Sequence, residues 1–167
     1  MTSRRNRTAA NETTSADAVT DAVLTASRLL MTVSATSIAE VDESITIPQF
    51  RVLVVLHSRG PMKISAMADM LGVDPSTTTR MVDRMVSAGL VERQLNPSSR
   101  REVLIHLTDT GSATVVDVTR RRRRRIARIV SKMPQPLSES LVEVVQSFTE
   151  AGGEPPATDV TRDDIGF

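Results

Sequence analysis

The segment from Asp74 to Gly89 carries the start and stop signals of a single helix, with no helix-breaking residue between them. Asp74 is a residue type that caps helix starts, and Pro75 suits the first turn, where its missing N–H is not needed. Gly89 supplies the left-handed residue that commonly closes a helix. The sequence therefore predicts a helix from about Pro75 to Ala88.

Helical spacing divides this segment into an apolar side and a polar side. The apolar side carries Thr78, Met81, Val82, Met85 and Ala88. The polar side carries Ser76, Thr79, Arg80, Asp83 and Ser87. We expect the first side to pack on a core and the second to present hydroxyl groups and a guanidinium outward.

The segments on either side complete a recognisable motif. Residues 65–72 read as a shorter helix that ends at Gly72, which gives two helices joined by a tight turn, a helix-turn-helix. Two strand-like runs with alternating apolar residues follow, at 90–95 and 102–107. The polar turn between them ends in Arg100 and Arg101. The pattern predicts a winged helix whose basic tip suits duplex DNA, which carries about one negative charge per 1.7 Å of axis.

Composition excludes several classes of function. The 167 residues are 40% hydrophobic, enough for one domain with a core, but they include no cysteine, two histidines and three aromatic residues. Thiol chemistry, disulfides, cysteine-based zinc sites and aromatic platforms for single-stranded nucleic acid are therefore excluded. The chain also lacks a Gly-rich phosphate loop, paired metal-ligand spacing and a nucleophile beside a base. We expect no enzyme, no catalytic or metal-binding residues and no cofactor.

No run approaches the roughly 20 apolar residues of a membrane span, and the amino terminus lacks the apolar segment of a secretory signal. We expect a cytoplasmic protein without a membrane partner.

The rest of the chain predicts helices around the winged domain. Residues 1–14 are polar and read as a disordered arm, as does the acidic tail at 154–167. A long amphipathic helix is expected from Ser15 to about Val41, within a helical dimerisation region formed by residues 15–44 and 112–153. The winged helix-turn-helix domain occupies 45–111.

Three more helices are expected, one in the winged domain and two after it. Thr46 and Gln49 match a capping box that opens the first, which ends near Arg59. The others run from Thr108 to about Met133 and from about Leu137 to Ala151. The fold class is mainly α with a small β-wing.

Six consecutive arginines, Arg120 to Arg125, lie within the helix expected from Thr108 to about Met133. Six helical positions turn through more than a full circle, so some of these arginines must face inward. Residues 108–133 carry eight basic against two acidic side chains, and 134–167 carry one against seven, which suits two packed helices or two chains. The run has three alternative roles: structural or solvated, lining an anion-binding cleft, or contacting DNA phosphates.

The apolar stripes of the terminal helices exceed what the small winged domain can cover. The economical arrangement pairs two chains through these helices. The two winged domains would then contact one pseudo-palindromic duplex, with half-sites about 34 to 36 Å apart.

The residues resemble the MarR family of transcriptional regulators, motif by motif and in order. The matching motifs are IPQFRVL at 47–53, MADMLGV at 67–73, STTTRMVDRM at 76–85, GLVER at 89–93, NP through RR at 96–101, and LTDTG at 107–111. The resemblance implies an obligate homodimer with winged lobes. It also implies repression of nearby genes that a small ligand bound between the lobes relieves, and no cofactor.

The resemblance also implies roles for individual residues. The positions that match those facing the major groove are Ser76, Thr77, Thr79 and Arg80. Arg84 matches a position that serves phosphate or structure, and Arg100 and Arg101 match the wing tip, with Arg101 as the minor-groove reader. Asp83 would repel phosphate if unpaired, so we expect it to hold Arg80, Arg84 or Arg101.

One position departs from the family pattern. Ser99 stands where the family usually has an aspartate that orients the wing arginine. We therefore expect a freer wing tip.

Two questions stay open at the level of sequence. A winged helix can also serve only as a protein-interaction or scaffold module, although the outward Thr and Arg face and the basic wing favour DNA. The effector is not identified by fold or family: a phenolic or lipophilic molecule, a pH change and no ligand at all are the alternatives that the absence of cysteine leaves.

Overall fold

The computed structural model describes residues 3–153, with side chains for residues 16–99 and 102–153. This part of the chain forms six helices and a two-stranded antiparallel hairpin. In chain order they are α1 (Ser3–Ala39), α2 (Ile47–Arg59), α3 (Ile64–Leu71), α4 (Pro75–Ser87), β1 (Val91–Asn96), β2 (Ser99–Leu107), α5 (Asp109–Val130) and α6 (Gln135–Ala151). The architecture is mainly α with a small β-wing, as the sequence predicts.

The predicted helix boundaries of the winged domain are confirmed by their caps. The Thr46 hydroxyl accepts the Gln49 amide at 3.4 Å, and the Gln49 side-chain oxygen accepts the Thr46 amide at 2.8 Å, which completes the capping box of α2. At the start of α4, the Asp74 carboxylate accepts the Ser76 amide at 2.8 Å. Gly89, with φ +70°, takes the chain out of the helical region after α4.

The core lies where α2, α4 and the hairpin meet the start of α5. Its buried apolar side chains come from α1 to α5, the hairpin and the adjoining loops, and they are Ile38, Ile45, Phe50, Val52, Leu53, Leu56, Met67, Val82, Met85, Leu90, Val91, Ile105, Val115 and Val118. Thr78, Val82 and Met85 anchor α4, as its apolar spacing predicts. The prediction was wrong for Ala88, which is exposed because α4 ends one residue before it.

The hairpin departs from the sequence prediction at its tip. We expected a turn over residues 96–101, whereas Pro97 and Ser98 alone make the turn and β2 already begins at Ser99. The register pairs Leu95 with Val103 and Asn96 with Ser99. One step along β1 therefore corresponds to four steps along β2. The additional residues, 100–102, form a bulge rather than a longer turn. Arg100 and Arg101 therefore lie in a strand.

The hairpin also extends beyond the body of the domain. Val91 and Ile105 are buried, but Leu95 is 66% exposed and Val103 is 43% exposed, although strand alternation places them on the same face. Periodicity identifies the face of a strand and not how far the strand projects, so alternation alone does not predict that these two residues are exposed.

The amino-terminal expectation was wrong. The backbone is helical from Ser3, where we expected a disordered arm up to residue 14. No proline or glycine interrupts residues 3–39, and the alanines there favour helix, so the helix continues past its apolar stripe. The predicted acidic tail at 154–167 lies outside the described residues.

The terminal helices bury little of their apolar surface within one chain. Within residues 16–39 of α1, the buried side chains are those near its end, Val33, Ser37 and Ile38, where it packs against α2 and α5. α6 has no buried side chain. The exposed apolar side chains of these two helices include Val19, Leu24, Leu29, Leu30, Met31, Leu137, Leu141, Val142, Val144, Val145 and Phe148.

One stretch of α1 corrects our expectation about membrane-length segments. Ala16–Ala39 is long and apolar enough, by length and composition, to cross a membrane. Mostly buried core helices of soluble proteins and signal sequences near an amino terminus pass the same test, and this stretch contains Asp17, Asp21 and Arg28.

The junction between the wing and α5 leaves no room for a side chain at Gly111. A Cβ there would lie 2.1 Å from the Leu90 carbonyl oxygen and 2.8 Å from a Leu107 methyl. Gly111→Ala should therefore destabilise the fold by roughly 1 to 3 kcal/mol or more, because the obstacle is backbone. The measurement is urea denaturation.

Gly152→Ala is the matched control, because a Cβ there would come no closer than 3.5 Å to its neighbours. An unchanged midpoint for Gly111→Ala would contradict the packing described at this junction.

Candidate nucleic-acid interface

The outward face of α4 is a polar surface held in a fixed rotation by the anchored face beneath it. Ser76, Thr77, Arg80 and Arg84 are exposed, and Thr79 is half-buried. The Thr79 hydroxyl donates to the Pro75 carbonyl at 2.8 Å, so towards solvent it offers acceptor lone pairs. The structure thus brings the predicted groove-facing residues together on one exposed surface.

A charged carboxylate, that of Asp74, caps the start of α4. The Asp74 carboxylate accepts hydrogen bonds from the hydroxyl and the amide of Ser76, and these bonds hold its pKa below the ordinary value. The carboxylate stays charged and caps the helix, so the orientation of Ser76 follows from the cap.

Asp83 has a different partner from the one expected. We expected it to hold Arg80, Arg84 or Arg101, but its carboxylate accepts the Arg93 guanidinium at 2.5 Å. Arg93 follows the buried Val91 by two residues on β1, a strand that packs against α4. The sequence carries one signal for this pair, the position of Arg93 in the first strand after the helix.

The Asp83–Arg93 pair has two consequences for the surface. It ties α4 to the wing and neutralises the carboxylate that would otherwise repel phosphate. Among the described residues, neither Arg80 nor Arg84 has a hydrogen bond or an ion pair, so both guanidinium groups remain available to a ligand.

A second carboxylate organises the base of the wing. One oxygen of Glu102 accepts the Lys63 ammonium at 2.5 Å, and the other accepts the Asn96 side-chain amide at 2.9 Å. These hydrogen bonds, that of Lys63 first, lower the pKa of Glu102 from its ordinary value of 4.5. Sequence periodicity gave no signal for this cluster, because Lys63 and Glu102 are far apart in the chain.

The arginine run of α5 is divided between inward and outward positions, as the helical geometry requires. Arg121 and Arg125 both contact the Glu40 carboxylate just after the end of α1, Arg121 at 3.4 Å, and Arg120 pairs with Asp117. Burial lowers the pKa of the Arg122 guanidinium, whose Nε has no partner among the described residues. At least two members of the run therefore join helices.

A family model and a solved structure are similar to this chain. The model of the MarR family matches residues 45–103, which contain α2 to α4, β1 and the start of β2. The crystal structure of RV1404 from Mycobacterium tuberculosis is 55% identical to this chain, with a TM-score of 0.79, and the match covers 85% of this chain and 97% of that one. This chain belongs to the MarR family.

Two curated members of the family are similar over the winged domain. HTH-type transcriptional repressor MdtR of Bacillus subtilis is 34% identical over 89 residues, which is 53% of this chain and 57% of that protein. Multiple antibiotic resistance protein MarR of Salmonella typhimurium is 39% identical over 69 residues, 41% and 48% of the two chains. The chain spans about half the length of these curated MarR relatives.

The Glu102 cluster predicts a pH dependence of stability. Because the folded pKa lies below the ordinary value of 4.5, the carboxylate stabilises the fold above that value and loses this effect as the pH falls through the folded pKa. Glu102→Gln should lower the urea midpoint at pH 7, and the difference from wild type should shrink as the solution is acidified below 4.5.

The control is Glu92→Gln on the same hairpin, since the Glu92 carboxylate accepts a hydrogen bond from its neighbour Gln94 and does not contact Lys63. A difference for Glu102→Gln that persists unchanged into acid would show that the charge of Glu102 does not act on stability.

Proposed function

We propose that this chain is a homodimeric, sequence-specific regulator of transcription that binds double-stranded DNA. The observation that carries the proposal is the exposed face of α4, where unpaired Arg80 and Arg84 stand beside Ser76, Thr77 and Thr79 on a helix anchored in the winged core. A helix of this kind fits the major groove, which is about 12 Å wide.

Each side chain of this face has a chemical role in the proposal. Arg80 donates two hydrogen bonds to the O6 and N7 atoms of a guanine, the commonest specific contact in protein–DNA complexes. The hydroxyls of Ser76, Thr77 and Thr79 contact base edges or phosphates, and Arg84 contacts phosphate. These groups need an approach free of negative charge, which the Asp83–Arg93 pair supports.

The wing supplies a second contact. Arg100 and Arg101 lie on the bulged end of β2, beyond the buried part of the hairpin. In the proposal Arg101 enters the adjacent minor groove, whose negative potential is strongest where A·T-rich sequence narrows it.

Dimerisation is supported by surface that one chain leaves uncovered. The exposed apolar residues of α6 include Leu137, Leu141, Val144, Val145 and Phe148, which follow one another at helical spacing. α1 carries a similar exposed set before its buried end. A second copy that covers both helices would place two α4 helices on one pseudo-palindromic duplex.

The same reasoning supports a cytoplasmic location. In this proposal the apolar residues of α1 serve helix packing. The end of α1 joins the domain core through Ile38. Glu40, immediately after the helix, pairs with Arg121 and Arg125 of α5. The three charged side chains within residues 16–39 would be costly in a bilayer.

Repression of adjacent genes, relieved by a small ligand between the lobes, completes the proposal. It rests on family membership and on the similarity to MdtR, a transcriptional repressor by its name. The absence of cysteine excludes thiol oxidation as the trigger.

The rival function is a winged-helix scaffold without sequence-specific DNA binding. A mobility-shift assay with the DNA upstream of the protein's own coding sequence separates the two, because a scaffold would not distinguish that duplex from an unrelated one of equal length.

Arg80 gives the sharpest prediction for the reading face. Arg80→Ala should reduce affinity for the preferred duplex by about 1 to 3 kcal/mol and relax the preference at one base pair in each half-site. Arg80→Lys keeps the charge but loses the two-pronged geometry, so it should recover affinity without recovering the preference. Fluorescence anisotropy with single-base variants of the duplex measures both quantities.

Arg59→Ala is a charge-matched control, since it removes an exposed arginine at the end of α2. If Arg80→Ala weakens all sequences equally, Arg80 contacts phosphate and the proposed base reading is wrong.

Dimerisation through the terminal helices gives a second prediction. Val144→Glu combined with Phe148→Glu should produce a folded monomer, because α6 buries no side chain within the chain and the two carboxylates would oppose burial between chains. Light scattering after size-exclusion chromatography gives the mass, and circular dichroism the helix content.

The matched control, Gln135→Glu with Gln146→Glu, adds the same charge on the opposite side of α6 and should remain dimeric. A dimeric Val144→Glu/Phe148→Glu variant would contradict the proposed interface.

A further inference from the structure

The bulge that carries Arg100 and Arg101 has no backbone partner on β1. Since Asn96 pairs with Ser99 and Leu95 with Val103, the residues between Ser99 and Val103 lie outside the regular ladder. A bulge leaves its extra residues unpaired and bends its strand, so side-chain contacts within the bulge affect the direction of that bend. Ser99 provides no carboxylate that could do so.

Glu102 is the residue of this bulge that is held from two sides. Its hydrogen bond with Asn96, at 2.9 Å, spans the bulge to the other strand. Asn96 is itself fixed at the turn, because its side-chain oxygen accepts the Ser98 amide at 3.0 Å. The turn and the base of the bulge are thus linked by one amide side chain.

The other oxygen of Glu102 connects the bulge to the body of the domain. It accepts the ammonium of Lys63, the residue that immediately precedes α3. The backbone beside Lys63 is itself joined to the hairpin, since Met62 and Ile105 exchange hydrogen bonds of 3.3 and 2.8 Å. Glu102 therefore links the bulge to the residue that precedes α3, the first helix of the helix-turn-helix.

We propose that Glu102, held by Lys63 and Asn96, is a positioning residue that fixes the direction in which the Arg100–Arg101 segment leaves the hairpin. This inference rests on the proposed function, because the direction of the segment matters only if the wing meets DNA. Fixing the segment before binding reduces the entropy lost on docking and favours the groove shape that the arginines fit.

The charge of Glu102 makes the inference sharply testable. A carboxylate near phosphates repels them, so a Glu102 without a positioning role would only weaken binding. Glu102→Gln would then tighten binding to every duplex alike and leave sequence preference unchanged. A positioning role predicts that the preference for A·T-rich over G·C-rich flanks falls, whatever happens to overall affinity.

The experiment uses the full-length chain and two synthetic duplexes. Both contain one central site recovered by the chain from a random duplex library, with A·T-rich flanks in one and G·C-rich flanks in the other. The quantity measured by anisotropy at fixed salt is the flank ratio, the dissociation constant of the duplex with G·C-rich flanks divided by that of the duplex with A·T-rich flanks. We expect Glu102→Gln to reduce this flank ratio by about 2- to 10-fold, the scale of immobilising one long side chain.

Lys63→Gln is the second variant, and it decides the question if Glu102→Gln does not fold. It removes a positive charge, whereas Glu102→Gln removes a negative one, so the electrostatic effects of the two variants on overall affinity have opposite signs, yet both should reduce the flank ratio. The double variant should lose no more of the ratio than Glu102→Gln alone, because the contact of Lys63 acts on the bulge only through Glu102. Glu92→Gln, which removes a carboxylate of β1 outside this cluster, should keep the wild-type ratio.

The outcomes separate this inference from the proposed function. Recovery of no duplex at all would overturn the proposed function and this inference with it. A wild-type chain that binds a selected site without flank preference, or variants of Glu102 and Lys63 that keep the wild-type ratio, would overturn the positioning role alone.

Discussion

The burial of one face of α4 determines which of its side chains face solvent. The exposed face, which carries Ser76, Thr77, Thr79, Arg80 and Arg84, depends on it. Thr78, Val82 and Met85 are packed into the core, so the helix cannot rotate without exposing them. The opposite face is thereby fixed towards solvent, and Arg80 and Arg84 leave the domain in one direction. A fixed direction is what recognition of base edges requires, since a bidentate contact tolerates little error in geometry.

A second regularity is the pairing of carboxylates with basic side chains, around α4 and the hairpin and between the end of α1 and α5. Asp83 is held by Arg93, Glu102 by Lys63, and Glu40 by Arg121 and Arg125. Exposed pairs of this kind add little stability. Their effect here is on the potential of the surface: acids are neutralised in place, while the arginines of α4 keep their charge for a partner. The arginine run of α5 takes part in this pairing and so has a structural role at Arg121 and Arg125.

The sequence predicted most of the fold because its signals are local. A capping box at Thr46 and Gln49, a cap at Asp74 and a left-handed glycine at Gly89 act within a few residues, and each holds in the structure. The amphipathic spacing of α4 likewise identified its buried face, except at Ala88, where the helix has ended.

What the sequence did not predict depends on contacts between distant segments or on the reach of an element. The partner of Asp83 and the cluster at Glu102 arise when the hairpin folds back on the helices, and no spacing rule specifies them. The exposure of Leu95 depends on how far the wing projects, and the bulge at residues 100–102 depends on the register of two strands. At the amino terminus, propensity continued the helix beyond its apolar stripe to Ser3.

In the proposed complex, two copies of this chain present two α4 helices to one DNA duplex. A hydroxyl-radical footprint of the full-length chain on a duplex selected from a random library, combined with the stoichiometry of the complex, tests this arrangement directly. We predict two protected half-sites with centres about 10 to 10.5 base pairs apart or a multiple of this, related by approximate two-fold symmetry, and two chains per duplex. A single protected segment bound by one chain, or failure to select any duplex, would contradict it.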